Sequence, residues 1–157
     1  MKAKLFLLAL PAALALGALA AAGGVQQFCV HDTANSTGRP ALLTCTGSLS
    51  VWQNDTCLTV HNVPAGSAGV FFFGRDRMDP VTIGVGKLCI SGTGNVYRIL
   101  PATVAGRDCC AGCNLDLKSY PAAVIQPGDT WYFQFLFADR DSGERNTSNG
   151  LAVTFVR

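Results

Sequence analysis

Apolar and polar positions alternate along residues 130–137, with Trp131, Phe133, Phe135 and Phe137 on one side and Tyr132, Gln134 and Leu136 on the other. Four aromatic rings at period two share one face only on a β-strand; at helical spacing they would scatter around the axis. Pro127-Gly128-Asp129 supplies the turn before that strand. The same period recurs at 56–62, where Leu58 and Val60 oppose Cys57, Thr59 and His61. Residues 69–73 form a nearly continuous apolar run, which predicts a strand that is central or buried on both faces. Shorter β-rich runs occupy 41–46, 48–52, 81–85, 87–90, 114–117 and 96–100, the last of these ending at Pro101. A final strand is expected at 151–155, behind Ser148-Asn149-Gly150.

About seven to nine short strands, with turn signals roughly every ten residues, predict an all-β fold: an antiparallel β-sandwich, immunoglobulin-like or jelly-roll-like. The Cys–Trp–Cys spacing of a true immunoglobulin domain is not clear, because Trp52 lies close to both Cys45 and Cys57. The aromatic face of 130–137 is read as core packing rather than a ligand platform, since so large an apolar surface is costly to leave in water.

Ahead of the strands the pattern changes twice. Residues 1–22 open with Lys2 and Lys4, continue as an apolar run and carry Ala18-Leu19-Ala20, small residues where a signal peptidase reads. The run is shorter than the ~20 residues a membrane-spanning helix needs, and no basic stop-transfer cluster follows it. Residues 1–22 are therefore expected to be a signal peptide, cleaved after Ala20 or Ala22. A lipoprotein signal would need a cysteine at the cleavage point, and the first cysteine is Cys29. Residues 23–40, with Gly23, Gly24, Asn35, Ser36, Gly38 and Pro40, are expected to form an irregular N-terminal arm, and 41–157 a single β-sandwich domain.

Composition sharpens this picture. The 157 residues are 49% hydrophobic and 14% charged, too apolar for a disordered chain. The formal net charge of +2 leaves with the leader: without Lys2 and Lys4, Lys plus Arg falls from 12 to 10, against 10 Asp plus Glu. A neutral chain has no bulk attraction for nucleic acid or anionic membranes. No other segment is long and apolar enough to span a membrane. The expected location is secreted, periplasmic or at the cell surface.

All seven cysteines (Cys29, Cys45, Cys57, Cys89, Cys109, Cys110 and Cys113) lie beyond the leader, so in an oxidising compartment each is a disulfide candidate. Their odd number leaves one thiol free or paired between chains, and three bridges can be drawn in roughly a hundred ways. A local pairing of Cys45 with Cys57 would close a loop of about a dozen residues and contribute on the order of 3 kcal/mol in the chain-entropy model.

Candidate chemistry is sparse. Asp139, Asp141 and Glu144 surround Gly143 in a loop of hard oxygen ligands that could hold calcium, although the full EF-hand spacing is absent. Cys110-x-x-Cys113 has the spacing of a thiol-redox motif but no βαβ unit around it. Cys109, Cys110 and Cys113 with His31 or His61 could supply four zinc ligands, but a second ligand pair at proper spacing is missing. His61 is read as an outward strand residue rather than a general base. Gly84-Val85-Gly86-Lys87 lacks the spacing of a phosphate-binding loop. Asn35, Asn54 and Asn146 fit the N-glycosylation pattern but are read as turn caps. No cofactor and no catalytic set is expected.

The strings Asn35-Ser36-Thr37-Gly38-x-Pro40-Ala41, Pro64-Ala65-Gly66-x-x-Gly69-x-Phe71-Phe72-Phe73-Gly74 and Gly86-x-Leu88-Cys89 stand out. So do Pro127-Gly128-x-Thr130-Trp131-x-Phe133-Gln134-Phe135 and Gly150-Leu151-x-Val153-Thr154-Phe155. Together they resemble a family of secreted bacterial β-sandwich modules with no assigned activity, over residues 28 to 155. Two features depart from that pattern: the chain ends Phe155-Val156-Arg157, where many relatives carry a cysteine, and it holds the cluster at 109–113. The functional expectation is a non-catalytic exported β-sandwich, a structural or interaction module with a protein or glycan partner at the surface. The alternatives are a calcium or glycan module, carried by the 139–144 loop, Trp52 or Tyr97, and a thiol-redox protein.

Overall fold

The computed structural model describes residues 23–157, so the signal peptide expected at 1–22 lies outside the described residues. Eleven strands follow in order: β1 (Gly24–Phe28), β2 (Leu42–Gly47), β3 (Thr56–His61), β4 (Ala68–Gly74), β5 (Arg77–Ile83), β6 (Gly86–Ile90), β7 (Tyr97–Val104), β8 (Ala111–Leu115), β9 (Thr130–Ala138), β10 (Arg145–Thr147) and β11 (Gly150–Thr154). A single 3₁₀ turn spans Ala122–Val124. The fold is all-β, as the alternation predicts, and every strand pairing in its sheets is antiparallel.

The aromatic strand β9 is the hub. Its first half pairs with β11, its second half with β10, and its other edge with β4, where Phe135 faces Phe71 and Phe133 faces Phe73. The large sheet runs β1-β11-β9-β4-β7, with β10 joined to β9; a second sheet runs β2-β3-β8. Trp131, Phe133, Phe135 and Phe137 point between the sheets together with Phe71, Phe73, Leu151 and Val153. They meet Leu43, Leu58, Val60, Ala111 and Leu115 from the second sheet. Phe71 and Phe135 tilt together at 4.5 Å between ring centres, and Phe73 stacks on Phe133 at 5.2 Å. The aromatic face is core, and the run at 69–73 is the central strand β4.

The opposite face of the large sheet is partly covered by the β5–β6 hairpin. Gln134 points toward that hairpin and is fully buried. Its Oε1 accepts the Cys89 N–H at 3.1 Å, and its Nε2 donates to the carbonyls of Lys87 at 2.6 Å and Ser148 at 2.9 Å. The disulfide Cys29–Cys89 ties the end of β1 to β6 across a sequence separation of 60. On another flank, Asn149 leaves the ladder between β10 and β11. Its Oδ1 accepts the Leu43 N–H at 2.6 Å and its Nδ2 donates to the Leu43 carbonyl at 3.3 Å. One side chain thus takes the place of a neighbouring strand for β2.

Several local expectations change. The arm at 23–40 is not irregular throughout, because Gly24–Phe28 pairs with β11 as an edge of the large sheet. Residues 48–52 form no ladder strand. Ser50 instead anchors a turn, its carbonyl accepting the Asn54 N–H at 3.2 Å, with an isolated parallel bridge to Val156. Strand β7 does not stop at Pro101, since it is an outer strand and a missing N–H there breaks no pairing. The strand expected at 114–117 lies earlier, at Ala111–Leu115, and the three-residue β10 has no sequence signal of its own. Among the described residues, no helix is long and apolar enough to cross a membrane.

Candidate functional site

The outward face of the small sheet, β2-β3-β8, carries a cluster of hydroxyl, thiol and imidazole side chains. Alternation along β3 buries Leu58 and Val60 and turns Cys57, Thr59 and His61 outward. Strand β2 sets Thr44 beside Thr59 and Leu42 beside His61. Strand β8 begins with Ala111 opposite Val60, so Cys110, one residue earlier, comes to lie beside His61.

The result is a relay across three chain segments. His61 Nδ1 lies 3.2 Å from Cys110 Sγ, and His61 Nε2 lies 3.2 Å from Thr44 Oγ1. Thr44 donates its only hydroxyl proton to the Thr59 carbonyl at 3.1 Å. With that proton committed, its oxygen is free to accept from His61 Nε2–H, and the tautomer that donates there turns the Nδ1 lone pair toward the thiol. The turn before β8 holds Cys110 in place. Gly106 N–H donates to the Cys110 carbonyl at 2.8 Å, Cys109 N–H to Gly106 at 3.0 Å, and Val63 N–H to Cys109 at 3.0 Å. Cys109 sits in the left-handed region at φ 59°, which closes the turn. The Cys110 N–H donates to Asp108 Oδ1 at 3.3 Å, and its S–H has two acceptors in reach, the Asp108 carbonyl at 3.5 Å and His61 Nδ1 at 3.2 Å. Burial, with Asp108 and Cys109 nearby, pushes the Cys110 thiol upward, so it rests as the neutral S–H. Cys110 and His61 are both half-buried rather than sealed.

The remaining thiols are arranged differently from expectation. Cys29 and Cys89 are bonded to each other; Cys45, Cys57, Cys109, Cys110 and Cys113 are free. Cys45 does not pair with Cys57. Cys45 and Cys113 lie opposite Leu58 from either side and pack against the core, while Cys57 points outward. Burial, reinforced by Cys57, pushes Cys45 up to about 11 and Cys113 up to about 12. The C-x-x-C spacing does not make a dithiol site either: three residues along extended chain put Cys110 and Cys113 on opposite faces. No helix begins at Cys110.

The calcium set does not converge. Asp139 is only 2% exposed, and its carboxylate already accepts Ser36 N–H at 2.8 Å and Ser36 Oγ–H at 2.5 Å. It also accepts the N–H groups of Asp141 at 3.0 Å and Ser142 at 3.2 Å. Asp139 is thus the hub of its own loop and clamps the N-terminal arm, while Asp141 and Glu144 are exposed. Among the described residues, no group of three or more His, Cys, Asp or Glu is placed to hold a metal ion, which removes the zinc set of Cys109, Cys110 and Cys113 with His31 or His61 as well.

Trp52 and Tyr97 do not share a platform. Trp52 is 63% exposed, with the Arg157 guanidinium 4.6 Å from its ring centre. Tyr97 stacks on Phe73 at 5.2 Å and edges onto Trp131. Asn35 caps a turn as expected, its Oδ1 accepting the Thr37 N–H, but Asn54 Oδ1 accepts the distant Leu117 N–H and Asn146 lies within β10, its Oδ1 accepting the Thr147 N–H.

Sequence reasoning placed His61 outward but missed Thr44 and the pairing with Cys110, 49 residues away. The available signal was the shared period of β2 and β3; the register that joins β8 to β3 has no local signature. No protein-family model, curated protein or solved structure matches the chain.

Proposed function

We propose that this chain is an exported β-sandwich that acts as a structural or interaction module at or beyond the cell surface, without a reaction of its own. The observation that supports this reading is how its buried polar groups are used. Asp139 holds Ser36, Asn149 holds Leu43, and Gln134 holds Lys87, Cys89 and Ser148. Each of these links fastens one segment to another and leaves none of its hydrogen-bonding capacity pointed at a ligand. Such a frame is rigid, and rigidity suits a module that presents edges and loops to a partner. The disulfide fits an oxidising compartment.

Two measurements test the proposal. Expression of the full chain in a bacterial host with fractionation should place the protein outside the cytoplasm with its N-terminus beginning near residue 21 or 23. Cytoplasmic retention with Met1 intact would count against export. A broad screen for hydrolase and oxidoreductase turnover should be negative; multiple turnovers abolished by His61→Ala would overturn the non-catalytic part.

A further inference from the structure

We propose that Cys110 is a site of covalent modification by thiol–disulfide exchange, with His61 as its base and Thr44 as the residue that positions His61. This goes beyond a role as a passive module, since it assigns the outward face of the small sheet a specific reactivity and a ligand class: a molecule carrying an accessible disulfide.

Three observations converge on it. The thiol and the imidazole are in hydrogen-bond contact at 3.2 Å. The Thr44 hydroxyl, engaged with Thr59, favours the tautomer in which Nε2 donates to Thr44 and Nδ1 is the acceptor. The anchored turn at 106–110 holds the thiol at the rim of the sheet, so no rearrangement is needed to bring it to its base. A nucleophile in contact with a base that is itself oriented by a third group is the arrangement that activates thiols.

The exchange balances without any further reactant. Cys110 Sγ attacks one sulfur of R–S–S–R, and its proton passes to His61 Nδ1. The new Sγ–S bond forms as the old S–S bond breaks, and the departing sulfur takes the electron pair. That sulfur then receives the proton from His61 and leaves as R–SH. The products are Cys110–S–S–R and R–SH, and His61 returns neutral. Cys113, the other thiol of the C-x-x-C, lies on the opposite face and is not placed to resolve the adduct; Cys109 is the free thiol next to it in the chain. Cys57 serves as an internal control, because it lies on the same outward face with Thr59 Oγ1 at 3.9 Å and no imidazole contact.

The test is the rate of modification of each thiol in the folded, purified protein, read by mass mapping after timed exposure to oxidised glutathione. Insulin, in a parallel arm, offers the disulfide as a protein, and the faster reagent identifies the source. Because burial leaves Cys110 little standing thiolate, its advantage must come from proton transfer to the imidazole in contact with it; with that base it is expected to react about 10-fold or more faster than Cys57 and Cys109. His61→Gln should cut the Cys110 rate by a similar factor and leave Cys57 unchanged. Thr44→Val should slow Cys110 at unchanged thermal midpoint, and Thr44→Ser should restore it. Equal rates at Cys110, Cys57 and Cys109 in the unaltered protein would overturn the proposal without reliance on any variant. A Cys110 rate that is the same in folded His61→Gln would overturn the role of the base. These readouts are stoichiometric, so they are distinguishable from the turnover that tests the module reading.

Discussion

Asp139 illustrates what a single residue does here. Its carboxylate takes four hydrogen bonds, two of them from Ser36, 103 residues away. Replacing it by alanine removes the acceptor of Ser36, Asp141 and Ser142, which are themselves exposed around the buried Asp139, and a hydrogen bond to a charged group is worth about 1.5–3 kcal/mol. Asp139→Ala should therefore lower stability by about 2–4 kcal/mol in urea unfolding; a loss under half a kilocalorie would show that Ser36 and the loop find other partners. Gly69 makes the opposite point, that a residue can matter for what it lacks. A Cβ there would run into the Phe135 ring and lie 2.8 Å from the Leu136 carbonyl oxygen. Gly69→Ala is expected to cost about 1–3 kcal/mol by overpacking. An unchanged urea midpoint would mean that β4 can shift away from β9, near Gly69–Phe71 where its register with β7 slips.

Elements divide into those with a strong internal pattern and those defined by their neighbours. Strands β3, β4 and β9 carry period-two or continuous apolar runs and were legible, faces included. Strand β1 was not, because Gly-Val-Gln-Gln-Phe on a sheet edge buries little and carries no clear alternation. The β5–β6 hairpin is legible as two runs, yet nothing local says that it folds over Gln134 or that Cys89 meets Cys29. That attachment has a measurable consequence. Cross-linking across about 60 residues is worth on the order of 4 kcal/mol in the chain-entropy model. The double variant Cys29→Ser with Cys89→Ser should lose stability of that order. Hydrogen exchange should then rise first in residues 77–90, while β9 and β4 keep their protection. Uniform loss of protection in all strands would mean that the hairpin is part of one cooperative unit.

For the whole molecule, acid is the revealing variable. The Asp139 carboxyl is raised by burial but lowered more by its Ser36, Ser142 and Asp141 hydrogen bonds, and the net shift is downward. In Asp129, burial is likewise outweighed by the Gln126 backbone, Arg75 and Trp131. Asp116 is held down by Ser119, then by Asn54 and Lys118. A carboxylate with a depressed folded pKa contributes stability that is present above its ordinary value of 3.8 and lost as the pH falls below it. Burial lowers His31 from 6.5, against the raising effects of the Ser148 backbone and Asp32. Its unfolded form takes up a proton first, so stability also declines as the pH drops below 6.5. The thermal midpoint should thus be flat near neutrality, fall gently on mild acidification and fall steeply below the carboxylate value, with Asp139→Asn losing part of the steep limb. A midpoint unchanged between about pH 5 and about pH 3 would show that these carboxylates are not linked to folding.

The alternation of side chains determined, from sequence alone, that the chain is an all-β sandwich, that the rings of β9 form its core, and that Cys57 and His61 face outward. A period of two follows from strand geometry and needs no knowledge of the rest of the molecule. Tertiary structure alone decided that Cys29 bonds Cys89, that Asp139 clamps Ser36 rather than joining Asp141 and Glu144, and that Cys110, His61 and Thr44 meet. Those contacts depend on which strands become neighbours and in what register. That choice is made by burying the whole core at once, and local patterns carry the face of a residue but not its neighbour across the sheet.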